Sequence, residues 1–159
     1  MKKLYLLSII ILTAVAQAAS MQSNIHAQMH FKYLSINEGL SNNHINSICQ
    51  DYLGNIWFAS EVGLNKFNGY KITHYMHNPN DTTSILSNDV RVVFSDSKNN
   101  LWVGSIMGLN LYNKELDNFQ EFTHENIKSP FGVVRDIVED KNNKIWIGTS
   151  SGLYIYDLN

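Results

Sequence analysis

The chain has 159 residues, 44% apolar, 11% aromatic and 16% charged, with a formal net charge of −2. That length suits one domain with a sizeable core, and no stretch is basic enough to follow a phosphate backbone, which argues against a nucleic-acid partner. Two prolines and nine glycines exclude collagen-like and low-complexity sequence, and a single cysteine excludes an intramolecular disulfide.

The chain opens with Lys2 and Lys3, continues through an almost uninterrupted apolar run over 4–15, and reaches the small residues of Ala16-Gln17-Ala18. Those are the three parts of a secretory signal peptide, so residues 1–18 are read as a leader and the mature chain as periplasmic. A run of twelve residues falls short of the roughly 20 that span a bilayer as a helix. Residues 19–30 read as a linker, and Phe31-Lys32-Tyr33-Leu34 as a strand able to close a ring.

The rest is one unit written three times. Trp57, Trp102 and Trp146 are spaced by 45 and 44 residues. Asp51, Asp96 and Asp140 lie six residues before each tryptophan, and Gly63, Gly108 and Gly152 lie six after. A period near 45 suits a propeller blade, and the short β-branched and aromatic runs bounded by Asn, Asp and Gly are strands. The predicted fold is all-β, with four-stranded antiparallel propeller blades over 40–76 and 86–123 and an incomplete one over 131–159. In the second unit the strands are predicted at 90–95, 101–105, 109–113 and 119–123. Each repeated aspartate opens a turn by accepting backbone N–H groups, and Gly54, Asn99 and Asn143 supply the positive φ that such turns need. Asn68-Gly69 marks a two-residue hairpin. The tryptophans read as core between blades, with Ala59, Gly104 and Gly148 small where neighbouring blades approach.

Three blades do not close a ring, since propellers typically use four to eight. The expectation is an N-terminal fragment of a longer protein. The alternative is a six-bladed ring of two chains, with 31–34 of one finishing the third blade of the other. The partners would then be the remaining blades or a second copy.

The segments LSNNHINSICQDYLGNIWFASEVGL, LSNDVRVVFSDSKNNLWVGSIMGL and FGVVRDIVEDKNNKIWIGTSSGL resemble the two-component regulator propeller repeat. Phe131-Gly132 of the third copy replaces the Leu-Ser start of the others. The resemblance implies the periplasmic sensor half of a hybrid histidine kinase, homodimeric when intact and responsive to an oligosaccharide. Its kinase and membrane-spanning parts have no counterpart in this sequence, so no enzyme activity is expected of the chain itself.

Strand alternation places the second-to-third and fourth-to-first loops of every blade on one face, together with the starts of the innermost strands. Amides, hydroxyls and carboxylates there suit a sugar, whose hydroxyls both donate and accept. The ligand-binding candidates are Asn43, His44, Glu61, Asn88, Asp89, Ser105 and Ser150. The six histidines and lone Cys49 show no metal-ligand spacing, and the repeated aspartates lack the calcium-loop pattern, so no cofactor or metal is expected. Asp51–Phe58 also resembles the repeat of propeller lyases that open cyclic lactones, a second reading in which His44 would be the acid/base. Metal-dependent turnover lost in His44→Ala would support that reading. A scaffold with no small ligand is the third.

Overall fold

The computed structural model describes residues 31–123 and 131–158. The expected leader and linker both lie outside them. Residues 31–34, expected as a strand, form none. A single 3₁₀ turn, Ile36–Glu38, follows, with Ser35 and Glu38 capping each other reciprocally.

Three antiparallel sheets succeed one another along the chain. Blade 1 is β1 (Ile45–Gln50), β2 (Ile56–Ser60), β3 (Gly63–Phe67) and β4 (Ile72–Tyr75), in that spatial order. Blade 2 repeats it with β5 (Val90–Ser95), β6 (Leu101–Ser105), β7 (Gly108–Asn113) and β8 (Asn118–Glu121). Blade 3 has three strands, β9 (Val134–Glu139), β10 (Lys144–Thr149) and β11 (Gly152–Asp157). The innermost strands are neighbours, β1 against β5 and β5 against β9.

Period-two alternation divides each sheet between two interfaces. Val93 of β5 faces blade 1 in a cluster with Trp57, Ala59, Leu64, Val90 and Val103. Val92, one residue earlier, belongs to the cluster shared with blade 3, beside Trp102, Leu109, Val134, Ile137 and Ile147. Trp57 stacks on Tyr75 at 5.6 Å and meets Tyr112 edge-on, while Trp102 meets Phe122 and Tyr156 edge-on. A side chain gains this burial only where a following blade covers it. Leu64 and Leu109 are 0% and 1% exposed, whereas the equivalent Leu153 is 63% exposed. Trp146 is likewise half-buried where Trp57 and Trp102 are fully buried.

The aspartate turns form as expected, with Asn99 and Asn143 at φ 66° and 60° and Gly54 at 85°. Each aspartate also has a second task that the spacing alone did not reveal. One carboxylate oxygen accepts two turn N–H groups, and the other accepts the indole N–H of the tryptophan six residues on, at 2.8, 2.8 and 3.0 Å in the three blades. The turn and the core tryptophan are thus tied by one side chain. In blade 3 the Trp146 indole, ahead of the backbone N–H groups of Lys144 and Asn142, holds the Asp140 carboxyl below the usual carboxylate range. The β3–β4 turn differs from the expected hairpin. Phe67 pairs with Ile72, and Asn68 flanks the corner with its Oδ1 accepting the N–H groups of Tyr70 and Lys71.

Two buried amides complete the frame. Asn65 accepts the N–H of Ser41, and Asn110 accepts that of Leu86, so the third strands of blades 1 and 2 each anchor the Leu-Ser segment leading into their own first strand. Between blades 1 and 2, at the outer edge, Asp117 accepts hydroxyl protons from Tyr75 and Tyr112, and Lys66 lies 3.5 Å from its carboxylate. Burial pushes the Asp117 carboxyl up, but the two hydroxyls and the Lys66 ammonium outweigh it and hold the group below its usual value. A carboxyl lowered on folding stabilises the fold above its unfolded pKa of about 3.9, and that contribution is lost as pH falls through the folded value. Asp117→Asn is therefore expected to be less stable than wild type at pH 7, with the gap closing below about pH 4. Urea denaturation at both pH values checks this, and a gap independent of pH would refute it.

Candidate ligand-binding site

The face carrying the β2–β3 and β6–β7 loops also carries the starts of β1, β5 and β9, and each of those three strands is irregular at the same point. Ile45 pairs with Ser60 and Ser47 with Ala59, leaving Asn46 as an extra residue. Val90 pairs with Ser105 and Val92 with Gly104, leaving Arg91. Val134 pairs with Thr149 and Asp136 with Gly148, leaving Arg135. A bulge takes its residue out of the alternation that would otherwise send it into an interface between blades, and re-aims it. All three bulge residues line one cavity of about 380 Å³ together with Ile106 and Val133.

The polar groups around this cavity are unevenly satisfied. The Asn46 amide donates to the carbonyl of Val90 at 2.8 Å, which stitches blade 1 to blade 2. Arg91 is half-buried and its guanidinium donates to Asp89 at 2.6 Å. The Nε of Arg91 and the Oδ1 of Asp89 are nevertheless buried without a partner. Arg135 is exposed and makes no ion pair among the described residues.

The residues singled out from sequence scatter over this face rather than converging. His44 and Glu61 form an exposed pair, 3.2 Å apart, across the mouth of blade 1. Asn43 accepts the backbone N–H of Ile36, and Asn88 accepts that of His77. Asp89 is the counter-ion of Arg91. Ser150 is exposed, and its hydroxyl accepts the N–H of Val133. Ser105 is 1% exposed, with its hydroxyl donating to the Gly108 carbonyl and accepting the Met107 N–H. Ser60 and Thr149 do the same in the other blades, so Ser105 is a hairpin clamp without access to a ligand. Asn46, Arg91 and Arg135 escaped sequence reasoning, although aligning the repeats two residues past His44, Asp89 and Val133 would have placed them together. Cys49 lies half-buried beside Trp57, and burial, aided by Asp51, pushes its thiol up to about 12, which keeps it protonated and unreactive.

Comparison with known proteins bears on this frame directly. Residues 39–61, 84–107 and 128–151 each match the two-component regulator propeller. The chain therefore contains three two-component regulator propeller repeats. Over 85 residues it is 36% identical to a histidine kinase of Formosa agariphila, a match that covers 54% of this chain and 6% of the kinase. It also superposes on the extracellular domain of a hybrid two-component system from B. thetaiotaomicron with a TM-score of 0.69 and 32% identity. That match covers 80% of this chain and 19% of that domain. A second such extracellular domain from B. thetaiotaomicron shares the fold at 20% identity and a TM-score of 0.65, covering 81% of this chain and 19% of that one. The repeats therefore span a minor part of the relatives they match. Among the described residues, no helix is long and apolar enough to cross a membrane.

Proposed function

We propose that these repeats form part of an extracytoplasmic ligand-sensing propeller, located in the periplasm, and that the ligand is an oligosaccharide. The observation that carries the reading is the bulge at the start of every innermost strand. Three repeats devote the same position to a polar side chain lining one cavity. The amide and guanidinium groups lining that cavity suit a polyhydroxylated ligand. The extracellular position of the similar hybrid two-component domain supports the compartment. Signalling would follow if the ligand favours one arrangement of paired sensor domains over another, since a ligand shifts an equilibrium only by its differential affinity for the two states.

The test is a thermal-shift series on the full chain against oligosaccharides of varied composition. A binder at 100 times its Kd is expected to stabilise the fold by about 2.7 kcal/mol, several degrees in Tm. The gain should shrink on replacing Asn46, which lines the cavity. Stabilisation by no saccharide in the series would remove this reading in favour of a scaffold.

A further inference from the structure

The repeats differ in how they neutralise the bulge residue, and that difference points to the charge of the ligand. In blade 2 the bulge is Arg91, and two residues earlier Asp89 supplies its counter-ion at 2.6 Å. In blade 3 the bulge is again arginine, Arg135, but the position two residues earlier is Val133. No carboxylate lies among the residues lining the cavity. The cavity thus has one guanidinium already matched and a second without an ion-pair partner among the described residues. The matched pair is also incompletely satisfied, since the buried Nε of Arg91 and the buried Oδ1 of Asp89 make no hydrogen bond.

The geometry points to an anion site in this cavity, with Arg135 as the principal contact and with Arg91 and Asn46 also lining it. Guanidinium groups bind the oxyanions of carboxylates and of sulfate or phosphate esters through paired N–H donors, and these bonds are shorter and stronger than neutral ones. This inference rests on the reading above that the ligand is a saccharide, and it narrows the class to acidic saccharides, uronate or sulfated. The two sources share one chemistry at the site, a delocalised oxyanion placed against Arg135. Val133 and Ile106 give the cavity an apolar wall that lowers the local dielectric and strengthens that contact.

The experiment is calorimetric titration of the full chain with three tetrasaccharides: an oligouronate, a sulfated oligosaccharide and a neutral maltooligosaccharide. The acidic probes are expected to bind and the neutral one to bind at least tenfold more weakly, with acidic binding weakening as salt rises. Arg135→Ala should reduce acidic binding by about 10- to 100-fold. Because Arg135 is exposed and makes no ion pair among the described residues, the variant should fold as wild type does. Val133→Asp supplies the independent check, since it recreates in blade 3 the counter-ion of blade 2 and should weaken acidic binding without removing the arginine. A preference between uronate and sulfate would tell the two sources apart. Equal binding of acidic and neutral probes, or acidic binding untouched by both substitutions, would overturn the anion site while leaving saccharide sensing in place. Failure of all three probes to bind would overturn both.

Discussion

Trp102→Ala is expected to cost about 3–5 kcal/mol of stability, the range for emptying a fully buried large aromatic site. Its indole is 1% exposed, packs edge-on against Phe122 and Tyr156, and donates its N–H to Asp96 at 2.8 Å. Removing it opens a cavity between blades 2 and 3 and strands a carboxylate that is itself 5% exposed. The equivalent change at Trp146 serves as the internal control. That tryptophan keeps its aspartate, at 3.0 Å, but is only half-buried, so Trp146→Ala should cost on the order of 1 kcal/mol. Urea midpoints at unchanged m-value measure both. Equal losses would show that the repeat motif, rather than the covering blade, sets the contribution of the tryptophan.

Gly104→Ala should destabilise by about 1–3 kcal/mol, through overpacking rather than through a cavity. A methyl group there would lie 2.6 Å from a Cγ of Val134 in blade 3 and 2.6 Å from a Cγ of Val92 in its own blade. Both valines are β-branched and buried, so neither has a free rotamer to retreat into. At the repeat-equivalent Gly148 the nearest atom would be 3.8 Å away, an ordinary contact. Gly148→Ala should therefore leave the denaturation midpoint nearly unchanged. A similar loss at both positions would mean that strand geometry, not inter-blade approach, demands glycine there.

These two comparisons say what organises the protein. Each blade is nearly the same sequence, yet its residues take their energetic weight from the neighbour that covers them. The same logic applies to the cavity. Asn46, Arg91 and Arg135 occupy one repeat position, and their roles separate only through what surrounds them. Asn46 is spent partly on the carbonyl of Val90, Arg91 on Asp89, and Arg135 makes no ion pair among the described residues.

How far the sequence reached follows from the range of the interactions involved. The three blades, their strand order and the positive-φ turn residues were readable because they depend on local pattern: alternation within strands, and Asp, Asn or Gly at fixed offsets. The tryptophan period identified the repeats for the same reason. What the sequence misplaced depended on register or on neighbours. Ser105 looked like a surface hydroxyl because a loop position is polar by default, and only the tertiary structure showed it sealed under a hairpin clamp. The Asn68-Gly69 corner shifted because the Phe67–Ile72 pairing, not dipeptide preference, decides where a hairpin turns. The bulges were invisible because one extra residue in a strand changes no composition and no period. It appears only when two strands are laid in register. Sequence by itself therefore determined the repeat, the blade and the family resemblance, whereas the arrangement of β1, β5 and β9 side by side decided which polar residues share a cavity, because side chains 44 or 45 positions apart meet only through packing.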